Sequence, residues 1–220
     1  MEDGKVMINI IYEDNHLLVV EKPVNIPVQA DSSNDKDLLT LLKEYLKEKY
    51  KKPGNVYLGL VHRLDRPVGG VMVFAKTSKA ASRLSKQVKE KTIKKTYVAV
   101  VEGKPNKEGM LKDKLEKDNK TNITKVSPNG KEAILNYKVI NTKDNLSLVQ
   151  INLITGRSHQ IRVQFSSRNY PLYGDQKYNK NPKKDQIALF AQKLEFIHPT
   201  TKEKLIFELP LPNRYPFNIF

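Results

Sequence analysis

The segment His62-Arg63-Leu64-Asp65-Arg66-Pro67-Val68-Gly69-Gly70, followed by the apolar run Val71 to Ala75, is the most distinctive stretch of the sequence. In it a carboxylate lies between two arginines and precedes a proline and two glycines. Proline fixes its own φ angle, and glycine permits backbone conformations and close approaches that a side chain would forbid. The pattern predicts a bent turn that leads into a buried strand and holds Asp65 rigidly in a cleft.

Two interpretations of Asp65 follow from these residue types. In the first, Asp65 is a catalytic carboxylate with a fixed orientation. In the second, Asp65 only pairs with Arg63 or Arg66 in a surface turn, as most neighbouring aspartates and arginines do. The segment alone leaves both interpretations open.

A second dense polar segment is Thr155-Gly156-Arg157-Ser158-His159-Gln160-Ile161-Arg162-Val163. It ends one strand-like run and is predicted to open another. If it were only a hairpin corner, Arg157 and Arg162 would be ordinary surface residues. If it faces Asp65 instead, one of these arginines can keep that carboxylate ionised by direct pairing.

The apolar pattern predicts an α+β fold with a largely antiparallel or mixed central β-sheet and flanking helices and loops. Leucines at helical spacing predict an amphipathic helix from Asp37 to Tyr50, and Thr77-Ser78 can cap a second helix. Further strands are predicted at Ile8 to Tyr12, Leu17 to Glu21, Thr96 to Glu102, Ile134 to Ile140, Leu146 to Ile154, Ile161 to Phe165, Leu189 to Phe196 and Lys204 to Leu209.

The length of 220 residues fits a single catalytic domain that covers the whole chain. The polar stretch from Lys104 to Lys131 could be a linker between domains. Because strand patterns on both sides resemble parts of one sheet, an irregular excursion or a polar hairpin is preferred there.

The charge balance indicates a polyanionic partner. Lys and Arg total 39 against 24 Asp and Glu, which gives a formal net charge of +15. A generally basic surface in a lysine-rich proteome would explain the same excess, so charge alone suggests nucleic acid without deciding it.

Several classes of site and location are excluded or disfavoured by composition. The chain has no cysteine, which excludes disulfides, thiolate catalysis and cysteine-based zinc sites. The four histidines are scattered without ligand spacing, so no metal site is expected. The start Met1 to Lys5 lacks the pattern of a signal peptide, and no apolar run reaches about 18 residues, so a cytoplasmic protein without a membrane span is predicted.

Several separated segments together resemble the RluA-type pseudouridine synthases (the RluA/RluC/RluD family) of ribosomal and transfer RNA. The resemblance spans roughly residues 8 to 212. The matching segments are Glu13-Asp14, Leu17 to Lys22-Pro23, His62 to Arg66 with Gly69-Gly70, Lys95-Thr96-Tyr97, Thr155 to Arg162, Pro171 to Asp175, His198-Pro199 and Leu209 to Pro212.

One departure from the family pattern follows Lys22-Pro23. The family commonly has a small residue and glycine there, whereas this chain has Val24-Asn25. Because Asn tolerates unusual backbone angles better than most residues, the loop is expected to persist with altered substrate contacts.

The resemblance implies a pseudouridine synthase fold with a central active-site cleft and a cofactor-free isomerase that flips uridine out of structured RNA. By position in the motifs, Asp65 is the nucleophile, Tyr97 stacks on the uracil and helps to remove the C5 proton, and Arg162 pairs with the catalytic carboxylate. Arg63 enters the RNA stack in place of the flipped base. The other candidate RNA-binding residues are His62, Arg66, Lys95 and Arg157.

A basic run after the first motif is a candidate for phosphate contacts, although a solvated helix face would explain it equally well. It consists of Lys76, Lys79, Arg83, Lys86, Lys89, Lys91, Lys94 and Lys95, with Glu90 as its one acidic residue.

The sequence also leads to further expectations and leaves two rival functions. The chain is expected to be a monomer without the N-terminal S4-type RNA-binding domain of many relatives. Attack at C1′ and a route through a glycal both remain open. The rivals are a catalytically inactive RNA-binding protein of the same fold and a DNA-binding regulator, which would require a helix-turn-helix that the pattern does not contain.

Overall fold

The computed structural model describes residues 7–31 and 33–220, so the N-terminal segment Met1 to Lys5 lies outside the described residues. The chain divides into two compact units. Unit 1 contains the described residues up to Ile93 together with Leu194–Glu208, and unit 2 contains Lys94–Lys193 and Leu209–Phe220. Nowhere in the described part does a helix have the length and apolarity needed to cross a membrane.

The described residues form an α+β fold, as predicted. Its strands are β1 (Asn9–Glu13), β2 (Leu17–Lys22), β3 (Gly59–Leu60), β4 (Gly69–Ala75), β5 (Lys94–Glu102), β6 (Glu108–Asp118), β7 (Ile123–Val126), β8 (Lys131–Lys143), β9 (Leu146–Leu153), β10 (Leu189–Ile197) and β11 (Lys204–Glu208). Its helices are α1 (Leu38–Lys49), α2 (Ser78–Lys89), α3 (Gln160–Ser166) and a short 3-10 helix (Phe217–Ile219).

Unit 1 is built on the strand order β1-β2-β4-β10, with β3 beside β4 and β11 beside β10. The β1/β2, β2/β4 and β3/β4 pairs are antiparallel. Every residue of β4 is buried, which explains why its sequence is a continuous apolar run without alternation. The β2/β4 register places Lys22 opposite Gly70, and so beside the turn that carries Asp65.

Both helices of unit 1 begin at side-chain caps, of which the sequence predicts the one at Thr77. Asp37 accepts a hydrogen bond from the backbone N–H of Thr40 at 3.0 Å, and Thr77 accepts one from Ala80 at 3.1 Å. These bonds satisfy donors that would otherwise have no partner in the first helical turn. The α1 helix buries Leu38, Leu42 and Leu46 at intervals of four residues, so its apolar stripe faces the core.

Unit 2 has the strand order β10-β5-β9-β8-β6-β7, and β10 continues from this unit into unit 1 after Lys193. The β5/β9, β9/β8, β8/β6 and β6/β7 pairs are antiparallel. The polar stretch from Lys104 to Lys131 contains the β6/β7 hairpin, so the prediction of a polar hairpin is confirmed and that of an irregular excursion is wrong. Asp118 accepts from the backbone N–H of Lys120 at 2.8 Å and closes the turn.

The prediction of a strand from Ile161 to Phe165 is wrong, because these residues lie in α3. All residues from Gln160 to Phe165 are buried, so the segment shows neither helical nor strand periodicity. Without periodicity, the β-branched residues Ile161 and Val163 favour a strand in a prediction from sequence. The turn before the helix is set by Gln160, whose Oε1 accepts from the Thr155 hydroxyl at 2.8 Å and from the Arg157 N–H at 3.0 Å.

Candidate active site

The turn that carries Asp65 is closed by a hydrogen bond from the Val68 N–H to the Asp65 carbonyl oxygen at 2.9 Å. Lys22 of β2 binds the backbone of this turn. The ammonium group of Lys22 donates to the carbonyl oxygens of Pro23 at 2.9 Å, Arg66 at 3.0 Å and Val68 at 2.8 Å. Two of these bonds hold the backbone of the turn itself, and the third ties the turn to the end of β2.

Lys22 is only 1% exposed, although lysine is almost never buried without a compensating partner. Burial lowers the pKa of Lys22 to about 7, while the negative charge of Asp65 acts in the opposite direction. The ammonium form has three donors and so matches the three carbonyl acceptors. The side chain of Lys22 is therefore part of the framework that holds Asp65.

His62 and Gly70 fix the start and the end of the same segment. The buried His62 accepts the backbone N–H of Val73 at its Nε2 atom, at 3.1 Å, so in the neutral ring the proton is on Nδ1. Gly70 has φ +131°, a value that side chains rarely tolerate. The predicted need for glycine is confirmed at this position.

The two arginines beside Asp65 have different surroundings. Arg63 is exposed. Arg66 is directed toward the loop before α1, where its guanidinium donates to the Ser33 hydroxyl at 2.8 Å and forms ion pairs with Asp31 and Asp35. The side chain of Arg66 thus ties the turn to the loop that follows β2.

The loop after β2 places Asn25 at φ +65°, in the left-handed region where glycine is usual and Asn is the best-tolerated substitute. The backbone angle at this position is therefore one that the family's glycine could also adopt, which agrees with the expectation that the loop persists.

In unit 2, Lys95 and Tyr97 lie two residues apart on β5, so their side chains point to the same face of the strand. Tyr97 is 8% exposed and opposes Ile151 of β9. Lys95 is partly exposed, and partial burial of its amine disfavours the charged form and lowers the pKa of Lys95.

Arg162 of α3 is 6% exposed and forms a two-point ion pair with Asp175, which is 0% exposed. Its Nε donates to Asp175 Oδ2 at 2.9 Å and its Nη2 to Oδ1 at 2.7 Å. Although burial disfavours the charged carboxylate, the hydrogen bonds and charge of Arg162 keep the pKa of Asp175 below its usual value. Both groups are therefore held as ions.

Tyr178 lies against the guanidinium of Arg162, with 5.1 Å between the Arg162 Cζ and the ring centroid. Its hydroxyl accepts the backbone N–H of Thr124 at 2.9 Å and shares a short hydrogen bond with His159 Nδ1. Arg157, by contrast, is exposed and donates through Nε to the Glu132 carbonyl at 2.8 Å.

The predicted basic run does not act as one uniform surface. Lys76 donates to Glu13 at 2.9 Å and Arg83 to the carbonyl of Pro199 at 2.8 Å, so both have structural partners. The lysines of the run that are exposed are Lys79, Lys86, Lys89, Lys91 and Lys94.

The candidate residues therefore fall into two groups. Unit 1 holds His62, Arg63, Asp65 and Arg66, and unit 2 holds Lys95, Tyr97, Arg157 and Arg162. Sequence reasoning gave no role to Lys22, Asp175 or Tyr178. The first two lie in matched motifs, Lys22 before Pro23 and Asp175 after Gly174, which was the available signal. Across residues 7–31 and 33–220 no cluster of three or more His, Asp or Glu side chains could hold a metal ion.

Comparison with known proteins places this arrangement in a family. The sequence model described as RNA pseudouridylate synthase matches residues 16–167. The chain belongs to the RNA pseudouridylate synthase family. Members of this family are RNA isomerases, so the class of enzyme predicted from the motifs is confirmed.

Curated relatives agree with this assignment over nearly the whole chain. An uncharacterized RNA pseudouridine synthase of Bacillus subtilis is 37% identical over 93% of this chain and 69% of its own length. Ribosomal large subunit pseudouridine synthase C of Buchnera aphidicola is 36% identical over 92% of this chain and 66% of its own. Ribosomal large subunit pseudouridine synthase D of Zymomonas mobilis is 34% identical, over 96% and 71%.

Solved structures show the same fold. Human RNA pseudouridylate synthase domain containing 4 matches with a TM-score of 0.79 at 23% identity, covering 93% of this chain and 89% of that one. Human RNA pseudouridylate synthase domain containing 1 matches with a TM-score of 0.76 at 24% identity, covering 96% and 86%. The pseudouridine synthase fold class predicted from the sequence is thus confirmed.

Proposed function

We propose that this protein converts specific uridines of structured RNA to pseudouridine, with Asp65 as the nucleophile and without a cofactor. The observation that carries the assignment of Asp65 is the construction of its turn. The buried amine of Lys22 bonds two carbonyls of the turn that carries Asp65 and a third at the end of β2, which joins the turn to the sheet. Such a site restricts the position of Asp65 far more than a surface salt bridge would require.

The proposed chemistry makes specific demands on these residues. The C1′–N1 bond of uridine breaks, the uracil rotates while it is held, a C1′–C5 bond forms, the C5 proton leaves to solvent and N1 takes up a proton in its place. Direct attack of the Asp65 carboxylate at C1′ and a route through a glycal both require an ionised carboxylate close to the sugar. We propose that Arg162 pairs with Asp65 and keeps it ionised.

The remaining candidate residues divide the work of base flipping. Extrusion of a stacked base costs a few kcal/mol, which stacking and phosphate contacts can offset. We assign Tyr97 to stack on the uracil and assist removal of the C5 proton, and Arg63 to fill the vacated position in the RNA. Arg63 is exposed, as insertion into RNA requires. His62, Arg66, Lys95 and Arg157 are assigned to RNA contacts around the target.

The substrate is proposed to be ribosomal RNA, with transfer RNA as the second class. Two of the relatives above are pseudouridine synthases of the ribosomal large subunit, which supports the first choice. The net charge of +15 supports a polyanionic substrate of either class.

Release of tritium from RNA labelled at uridine C5 tests this proposal. Large-subunit ribosomal RNA and a transfer RNA pool are transcribed with the label and incubated separately with wild type, Asp65→Asn and Asp144→Asn. Asp144 is an exposed carboxylate in the turn between β8 and β9, with φ +53°, a conformation that Asn tolerates well, so Asp144→Asn is the matched control.

We expect wild type and Asp144→Asn to release tritium at equal rates and Asp65→Asn to release none above background. Equal release by Asp65→Asn would remove Asp65 as the nucleophile. The rival function, a catalytically inactive RNA-binding protein, predicts tight RNA binding by wild type without any release. Release from only one of the two RNA pools identifies the substrate class.

A further inference from the structure

We infer that Asp175 is a positioning residue for the isomerisation, acting through Arg162. This inference rests on the proposed function, in which Arg162 serves the nucleophile. It goes beyond that function because Asp175 itself contacts neither substrate nor the reacting atoms in the proposal.

The direction of Arg162 is fixed by the way in which Asp175 binds it. Asp175 occupies one edge of the guanidinium, the edge formed by Nε and Nη2, at 2.9 and 2.7 Å. Two parallel bonds between planar groups fix both position and rotation, which a single bond to lysine would not do. The N–H groups of Nη1 and the second N–H of Nη2 lie outside this fork and keep one orientation.

Asp175 is itself immobilised. Its Oδ1 also accepts the backbone N–H groups of Lys177 at 2.9 Å and Tyr178 at 3.2 Å. The preceding Gly174 has φ +71°, so the chain makes a turn there that favours glycine. Because the carboxylate is held by the backbone that follows it, it transmits the rigidity of this loop to Arg162.

Charge is the second property that Asp175 controls. Burial of a guanidinium without a counterion is strongly unfavourable, and Asp175 supplies that counterion for Arg162 within unit 2. With Asp175 the pair is neutral in sum. The N–H donors of Arg162 outside the fork can then orient a nucleophilic carboxylate. An unpaired cation would stabilise that carboxylate more strongly and so make it less reactive.

Tyr178 adds a second contact to the guanidinium that Asp175 binds. Its ring centroid lies 5.1 Å from Arg162 Cζ, and its hydroxyl accepts the Thr124 N–H at 2.9 Å. The fork with Asp175 and this ring together restrict the movement of the Arg162 side chain. We therefore expect Asp175 to affect the rate of the chemical step more than the binding of RNA.

The test compares Asp175→Asn with Asp113→Asn under single-turnover conditions, using enzyme in excess over tritium-labelled RNA. Asp113 forms a similar fork with Arg168, at 2.8 and 3.1 Å, in the same unit, and so controls for loss of an ion pair as such. For Asp175→Asn we expect the maximal rate to fall about 10- to 100-fold and the half-saturating enzyme concentration to change less than about three-fold. For Asp113→Asn we expect a rate close to that of wild type.

A double-variant cycle tests whether Asp175 acts through Arg162. In an Arg162→Lys background the fork no longer exists, so adding Asp175→Asn should lower the rate by no more than about two-fold. Multiplication of the two single effects would overturn the inference, as would an unchanged rate for Asp175→Asn or an equal loss for Asp113→Asn.

A folding control keeps these outcomes interpretable. Thermal unfolding is measured for each variant, and if Asp175→Asn does not fold, Asp175→Glu replaces it, because this change keeps the charge and shifts the fork by one methylene. A normal rate for folded Asp175→Glu would then overturn the inference. If wild type releases no tritium, the proposed function fails instead, so the two failures are distinguishable.

Discussion

Lys22 gives the most specific physical prediction, because its burial links the stability of unit 1 to pH. The perturbation is Lys22→Met, which removes the amine and keeps a side chain of similar length. The folded-state pKa of Lys22 is about 7, against an ordinary value of 10.5. Between these two values the unfolded chain binds a proton at Lys22 that the folded chain does not, so this residue makes stability rise with pH.

The magnitude follows from these two pKa values. Each pH unit in the window contributes up to about 1.4 kcal/mol to the free energy of unfolding. Because the folded group is about half protonated near pH 7, the rise between about pH 7 and pH 9 is about 2 kcal/mol. Lys22→Met also loses three hydrogen bonds and no longer has to bury an ammonium group, and these opposing effects set its stability at any one pH. The change with pH isolates the effect of the charge.

Urea unfolding at pH 7 and pH 9 measures the prediction for wild type, Lys22→Met and a control, Lys79→Met. Lys79 is an exposed lysine of α2. We expect the free-energy difference between wild type and Lys22→Met to shift by about 2 kcal/mol in favour of wild type at pH 9. The difference for Lys79→Met should shift by less than about 0.5 kcal/mol.

An unfolding free-energy difference between wild type and Lys22→Met that is independent of pH would refute the reasoning. It would mean that the three carbonyl acceptors fully replace hydration of the ammonium group, so that burial leaves the pKa of Lys22 unchanged. A shift of opposite sign would mean that the attraction of Asp65 exceeds the cost of burial.

Two further predictions concern backbone strain and acid stability. Gly174→Ala should lose at least about 2 kcal/mol of unfolding free energy in thermal unfolding, because a Cβ would lie 2.6 Å from the Gln186 carbonyl at φ +71°. Gly156→Ala is its control and should be neutral, since nothing lies within 4 Å of that Cβ; equal losses would contradict the reasoning. Despite burial, hydrogen bonds from Lys49 and its neighbours lower the pKa of Glu13 to about 2. Stability from this carboxylate is present above its unfolded pKa and lost as pH falls, so the advantage of wild type over Glu13→Gln should shrink by about 2 kcal/mol between pH 5 and pH 3 in urea unfolding. An equal stability difference between wild type and Glu13→Gln at pH 5 and pH 3 would contradict the lowered pKa of Glu13.

Much of the fold was predictable because its strands are short apolar runs bounded by turn residues and its first two helices show helical spacing or a capping residue. The strands predicted at Leu17 to Glu21 and Leu146 to Ile154 correspond to β2 and β9, the helix predicted from Asp37 to Tyr50 to α1, and the predicted cap at Thr77 to the start of α2. Apolar runs, helical spacing and capping residues are local signals, so one sequence suffices to detect them. The α3 helix was missed because complete burial removes the periodicity on which such predictions depend.

The candidate site was predictable only in part, because the charged residues that support it are buried. Motif positions point to Asp65, Tyr97 and Arg162 as candidates, but the buried charged residues Lys22 and Asp175 beside them were not recognised. Lys22 and Asp175 are charged residues that are almost completely buried. Lysines and aspartates usually lie at the protein surface, so their residue type alone predicts exposure. Burial of a charge is a property of the tertiary structure, and no local pattern reports it.

The two groups of candidate residues share one construction principle, which explains why their supporting residues are charged. Lys22 holds carbonyl groups around Asp65, and Asp175 holds the guanidinium of Arg162. Apolar packing could fill the same volume at lower cost, but it would not fix the rotation of a turn or of a planar cation. In each case a buried ionisable side chain with several hydrogen bonds fixes a functional group or the turn that carries it. Substitutions that keep volume and remove charge, Lys22→Met and Asp175→Asn, therefore separate orientation from packing in the two units independently.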